Sequence, residues 1–371
     1  MTNVERYNYG AQFGTDLDAV VEDIRRILTR GDYDRSKEAQ AFERAFASYL
    51  EIEHARTVAC GTDALILTMR ALGLGPGDEV ITQANTFYAT FAAIAIVGAI
   101  PVPVDVDEET FEMDLAQLDA AVTPRTRAIV PVHMFGKPNR MAEIMDFAGR
   151  HGLLVVEDAA QAHGARTGGK RVGTFGNAGC FSFHPSKNLA GAGNGGCVVT
   201  PSQSLATAIE AHRTHGQLVT HEHVCLGVNS KLDALQAVVL LSKLPKLDEW
   251  NARRRDVARR YRERLGDLEV SFQREDPDEE HVYHLFQMRT SRRDALLDHL
   301  RRSGIDAVVR YPIPVHLQPP FECYGWVAGQ FPRAERLAQE LVCLPIRPDL
   351  TEAEQESVVR SVREFYTAAA A

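Results

Sequence analysis

Leu153-Leu154-Val155-Val156-Glu157-Asp158-Ala159-Ala160-Gln161-Ala162-His163-Gly164 reads as an apolar strand that stops abruptly in two acids. An uninterrupted apolar run of this kind suits a strand of a buried parallel sheet. A carboxylate at the carboxyl end of such a strand is costly unless it faces a cation, so Asp158 asks for a partner, and a protonated heteroaromatic nitrogen would serve. Working upstream, similar runs recur at Arg56-Thr57-Val58-Ala59, Glu79-Val80-Ile81-Thr82, Ile100 to Val104 and Arg127 to Val132, with helical segments over 63–73, 87–97, 114–121 and 139–150 between them. This alternation predicts an α/β fold, a large mostly parallel mixed sheet flanked by helices. Ligands of open α/β sheets sit at the carboxyl ends of the strands.

Downstream, Cys180 to Phe183 and Cys197 to Thr200 are two further strand-like runs joined through glycines, which predicts a hairpin-like pair added to the sheet. The first delivers Ser182 and then Lys187 into a loop held by Pro185. That lysine reads either as a solvated charge or as a covalent catalyst, and the segment alone leaves both open. Gly191 to Gly196 satisfies a GxGxxG pattern, but it leads into a strand rather than opening a helix, as a dinucleotide fingerprint must. Gly164 to Lys170 has P-loop spacing, but Arg171 replaces the hydroxyl residue that would hold magnesium. Both are chance matches. After the strand at 56–59 come Gly61-Thr62-Asp63, a glycine and a hydroxyl opening a helix; this suits a phosphate, and equally an ordinary helix cap. A phosphate cradle, a carboxylate for a ring nitrogen and a lysine amine are together the set that holds pyridoxal 5'-phosphate.

Composition bounds the alternatives. The 371 residues are 45% apolar and 25% charged, as in an ordinary globular protein, and exceed the usual size of one domain. A net charge of −9 argues against nucleic acid as a partner. No apolar core follows the charges at the start, and the run Phe91 to Val104 is broken by Gly98, Pro101 and Pro103, so neither a leader nor a membrane span is expected and a cytoplasmic location is. Six scattered cysteines suit reduced thiols. His221, His223 and Cys225 alternate as on an exposed loop, and no metal site is expected. A long amphipathic helix is expected over 231–247, after which the character of the chain shifts. Residues 1–249 are read as a large α/β domain and 250–371 as a smaller α+β domain, with a strand over 284–289 and helices near 293–303, 333–342 and 351–369.

The run Phe181-Ser182-Phe183-His184-Pro185-Ser186-Lys187-Asn188-Leu189, with Gly61 to Leu65, Glu157 to Gly164, Asn229 to Ala237, His281 to Phe286 and Tyr311 to Gln318, resembles the DegT/StrS family of sugar aminotransferases from about residue 30 onward. The resemblance implies a fold type I aminotransferase. It makes Lys187 the Schiff-base lysine, pairs Asp158 with the pyridine nitrogen and Gln161 with the ring hydroxyl, and gives the phosphate to Thr62, Asp63, Ser182 and an Asn229 reaching across from a second subunit. Phe87 would cover the ring. Tyr311, His184 and His316 are the sugar-side candidates, the two histidines and His163 otherwise reading as structural. The implied reaction moves an amino group from L-glutamate to a nucleotide-linked keto sugar, a dTDP-3-keto-6-deoxyhexose, in a ping-pong cycle within a homodimer. A 4-keto sugar or a cyclitol (inosose) acceptor, and a cofactor-binding regulator without turnover, are the alternatives. Three departures from the family pattern, Ala190, Asn194 and Arg310, bear on the sugar rather than on the cofactor.

Overall fold

The structure, a computed structural model, describes residues 3–33 and 36–367. The β-rich runs form a seven-stranded sheet of β1 (His54–Val58), β2 (Glu79–Gln83), β3 (Ile100–Val104), β4 (Thr126–Val130), β5 (Leu154–Asp158), β6 (Ala178–Ser182) and β7 (Gly196–Thr200), in the order β1-β7-β6-β5-β4-β2-β3. Strands β6, β5, β4, β2 and β3 pair in parallel, and β7 runs antiparallel to both β1 and β6. Every residue of β2, β6 and β7 is buried, which is why these strands show no polar alternation. The mostly parallel mixed sheet and the β6–β7 hairpin are those expected from the sequence.

Helices α1 (Leu17–Arg30), α2 (Lys37–Leu50), α3 (Gly61–Ala71) and α4 (Tyr88–Ile96) lead the layers around this sheet. The hydroxyl of Ser36 caps α2 by accepting from the Ala39 amide at 3.1 Å. Phe42 and Phe46 then meet Phe183 and Phe181 edge to face, with centroids 5.2 and 5.1 Å apart. Strand alternation turns Phe181 and Phe183 into this cluster and Cys180 into the cluster on the opposite face, where Thr68 of α3 lies 3.4 Å from its sulfur. Ser182 shares that second face, toward the start of α3.

A second core gathers the helices Leu247–Leu265, Arg293–Arg302 and Glu352–Thr367 around a three-stranded antiparallel sheet of β8 (Ser271–Phe272), β9 (Phe286–Arg289) and β10 (Leu341–Leu344), in the order β8-β9-β10. Val4 bridges to Ile305 and packs into this core, although its position in the chain groups it with the first domain. The single helix expected over 231–247 is instead Ala234–Lys243, a 3-10 turn at Leu244–Lys246 and a new helix, because Pro245 has no N–H to continue the first. That new helix runs through residue 250 without a break. Leu341-Val342 falls in β10 rather than at the end of the helix Pro332–Glu340. Among the described residues no helix is long and apolar enough to cross a membrane.

Candidate active site

The carboxyl ends of β1, β5 and β6 open on one cleft of about 270 Å³, lined by Thr62, Phe87, Asp158, Gln161, Ser182, His184, Lys187 and Tyr311 among others. Its floor is built by close backbone approach. Gly196 pairs with Val58 on one side and Ser182 on the other. A Cβ there would collide with the carbonyl of Cys60, and one on Gly61 would lie 2.6 Å from the Cβ of Ser182. The two glycines thus let the start of α3, where Cys60 Sγ accepts from the Asp63 amide at 3.4 Å, close on the Ser182 hydroxyl, and the Gly61 and Thr62 end of the helix fits an anion such as a phosphate. Gly196→Ala should destabilise the protein by about 1–3 kcal/mol through the forced backbone shift, read in urea unfolding.

The two acids of β5 have different fates. Glu157 is fully engaged, accepting from the amides of Gly173, Phe175 and Gly176 at 2.6, 2.7 and 2.9 Å and lying 3.1 Å from His133 Nε2. It holds the loop before β6. Asp158 is equally buried but has no salt bridge among the described residues. The Thr90 hydroxyl donates to it at 2.8 Å, and the Ala160 amide at 3.2 Å. Burial pushes its carboxyl above the usual carboxylate range, against the hydrogen bond from Thr90, the Ala160 amide and the charge of Lys187. Lys187 is the reciprocal case: burial pulls its amine down to about 8, Asp158 acts in the opposite sense, and Arg310 lowers it further.

Gln161 is fixed in one orientation, its Oε1 accepting from the Phe135 amide at 2.9 Å and its Nε2 donating to the Tyr311 hydroxyl at 3.3 Å. Phe87 is no core residue; it is 46% exposed at the start of α4, with its ring 5.2 Å from that of Tyr311. His184 is exposed at the mouth, its Nδ1 2.9 Å from the Ser186 hydroxyl, and burial and the charges of Lys187 and Arg310 lower its pKa.

Two expected site residues, Asp63 and His316, lie outside the cleft, and Asn229, expected in the site of a second subunit, lies outside that of its own chain. Asp63 does not line the cleft; its carboxylate accepts from the Ser230 hydroxyl at 2.6 Å, and that hydroxyl accepts from the Ala59 amide, so Asp63 ties α3 to the segment beside Asn229. Asn229 is exposed and outside the cleft of its own chain, bridged through its backbone to Thr214. His316 is buried 3.2 Å from Glu335 and against the ring of Phe331, which removes it from the cleft. The cleft also contains Tyr7 and Cys60, which no sequence motif singles out, His284 of the His281 to Phe286 run, and Asn194 and Arg310, two of the departures from the family pattern.

Among the described residues, no three His, Cys, Asp or Glu side chains are grouped to hold a metal ion. An amine, a buried carboxylate without a cation and an anion cradle around one cavity can instead hold an aldehyde cofactor that carries a ring nitrogen and a phosphate. The sequence pattern of the DegT/DnrJ/EryC1/StrS aminotransferase family matches residues 16–363. The chain belongs to this family. This aminotransferase is 43% identical over 359 residues to the dTDP-3-amino-3,4,6-trideoxy-alpha-D-glucose transaminase of Streptomyces venezuelae, covering 94% of this chain and 95% of that protein. It is 44% identical to a pleiotropic regulatory protein of Geobacillus stearothermophilus, over 94% of this chain and 93% of the other. The solved structure of S. venezuelae DesV in complex with a ketimine intermediate superposes with a TM-score of 0.96 at 41% identity, covering 99% of both chains. The aminotransferase uses pyridoxal 5'-phosphate, and the Gly61–Ser182 cradle, the unpaired Asp158 and the lowered Lys187 amine fit that cofactor.

Proposed function

We propose that this aminotransferase moves an amino group from L-glutamate to a nucleotide-linked keto sugar, a dTDP-3-keto-6-deoxyhexose, in a ping-pong cycle. The observation that carries the proposal is the placement of Lys187, its amine lowered to about 8, in one cleft with a buried carboxylate. When bound, pyridoxal 5'-phosphate supplies an electron-accepting ring that stabilises the charge left when the carbon next to nitrogen loses a proton. Thr62, Ser182 and the amides opening α3 would hold its phosphate, Lys187 its aldehyde, and Gln161 its ring hydroxyl. Asp158 would keep a proton on the ring nitrogen. Phe87 would cover one face of the ring and exclude water. Lys187, displaced by the incoming amine, would serve as the general base and acid that moves the proton of the substrate carbon, a role that suits an amine with a pKa of about 8.

Asn229 would complete the phosphate site of a second copy in a homodimer. Support comes from its exposure at the end of a segment that also exposes Leu218, Val219, Val224 and Leu226, the last at 91%. A cytoplasmic location is supported by six cysteines that are all free. The two cores support the division into a large and a small domain. The sugar is supported by the activity for which the S. venezuelae transaminase is named, while the Geobacillus relative favours a second reading, a regulator that binds the cofactor without turnover. One experiment separates the two. With cofactor-loaded protein, L-glutamate is expected to bleach the visible band and release 2-oxoglutarate, after which a dTDP-linked 3-keto-6-deoxyhexose restores the band. A band that no amino donor bleaches would overturn the enzyme in favour of the regulator; restoration only by a 4-keto sugar or an inosose would overturn the acceptor.

A further inference from the structure

Arg310 stands on the cleft wall next to Tyr311, and its guanidinium has no carboxylate or carbonyl partner among the described residues. Among the described residues the most deeply buried arginines are paired. Arg213 meets Glu43 at 2.6 Å, Arg171 meets Glu51 at 2.7 Å, Arg347 meets Asp349 at 2.7 Å, and the buried Arg254 donates to the carbonyls of Tyr283 and Ile346. A cation left unpaired in a part-buried wall is a standing cost that an arriving anion offsets.

The charge inventory of the cleft narrows what that anion is. Asp158 is its one acid, and Lys187 and Arg310 are its cations. Of its imidazoles, His284 is held neutral by burial and the field of Lys187, and His184 is shifted the same way. Lys187 is engaged by the cofactor aldehyde, and the cradle at Gly61 and Ser182 takes the phosphate. An amino acid bears its α-carboxylate on the carbon that carries its amine, so that carboxylate enters the cleft beside Lys187. The field of Arg310 reaches both Lys187 and the His184 ring. Given the amino-group transfer proposed above, we infer that Arg310 is the anchor for the α-carboxylate of the amino donor. The keto sugar carries its charge on the nucleotide diphosphate at the anomeric carbon, not on the carbonyl carbon that comes to Lys187, so Arg310 favours the first half-reaction over the second and selects α-amino acids over simple amines as donors.

The test uses cofactor-loaded protein and two unreactive or slow probes followed by the spectral shift they cause: α-methylglutamate, which has both carboxylates but no α-proton, and 4-aminobutanoate, which lacks the α-carboxylate. The native protein should bind α-methylglutamate more tightly. Arg310→Gln should weaken α-methylglutamate by about 10–100-fold and leave 4-aminobutanoate within about twofold, with Arg310→Lys in between. Arg310→Met repeats the comparison with the side-chain stem kept, and cofactor uptake reports folding for all three. Equal affinity of the native protein for both probes, equal weakening of both in the variants, or weakening confined to the nucleotide sugar would each overturn the assignment. The probes contain no sugar, so failure of every keto sugar to turn over would leave this comparison intact.

Discussion

Replacing Lys187 by alanine is expected to abolish covalent capture of pyridoxal 5'-phosphate and to lower kcat for the whole cycle by about 10²–10⁴-fold, the range of a lost general acid–base group. The visible band of the loaded protein and its fixation by borohydride should both vanish. The phosphate cradle at Gly61, Ser182 and Gly196 is untouched, so the cofactor should still bind reversibly. The same substitution has an effect on the cofactor-free protein that follows from the sign of the pKa shift. Burial lowers the Lys187 amine from 10.5 to about 8, so the folded chain binds this proton less tightly than the unfolded chain does. The charged lysine therefore destabilises the fold below about pH 8, and the penalty is relieved as pH rises from about 8 to 10.5. Lys187→Ala should be more stable than its parent in urea at pH 7, with the difference shrinking toward pH 10. A variant that keeps the band, or a stability difference that grows with pH, would count against this reading.

Asp158→Asn is expected to have the second largest effect. The amide oxygen can still accept from Thr90, so the local hydrogen bond survives, but an amide cannot hold a proton on a pyridine nitrogen. Loss of that electrostatic partner should lower kcat by about 10²–10³-fold, with cofactor uptake retained. Burial raises the Asp158 pKa, so the folded chain prefers the protonated acid; stability from that proton is present in acid and lost as pH rises through the folded value. At neutral pH the carboxylate is therefore a net cost to the cofactor-free protein. Urea unfolding at pH 7 should show the variant gaining stability without cofactor and losing it with cofactor. An unchanged kcat would remove Asp158 from the assigned role.

These two residues are legible in the amino-acid sequence to different degrees. Asp158 stands out, because an acid closing an uninterrupted apolar strand has few physical explanations. Lys187 does not, since a lysine in a glycine-rich loop is ordinarily solvated, and only the resemblance across several ordered motifs singles it out. The sheet is readable because β5 and its neighbours are buried on both faces, and the β6–β7 hairpin because glycines punctuate it. Side-chain direction is not readable. Asp63 and His316 have chemically suitable side chains, yet Ser230 turns the first toward its own segment and Glu335 with Phe331 encloses the second. Tyr7 reaches the cleft only because Val4 pairs with Ile305, a contact between the two ends of the chain. Thr90 leaves a fainter trace: with Thr86 it places two hydroxyls one turn apart in the apolar segment that precedes β3, and in the fold they lie 2.8 Å apart beneath Asp158.

The reversed strand β7 also sets the order in which this protein becomes competent during synthesis. β1 is among the first strands to leave the ribosome, yet its hydrogen-bonded neighbour in the sheet is β7, residues 196–200, and Gly61 meets Ser182 only when β7 lies between β1 and β6. A nascent chain of fewer than 200 residues has the helix start at Gly61 but no wall opposite it. Such non-local closure is slow compared with local helix formation. The cleft is therefore complete only once β7 is in place, and a chain stalled before β7 leaves β1 without its sheet neighbour, open to pairing with other chains.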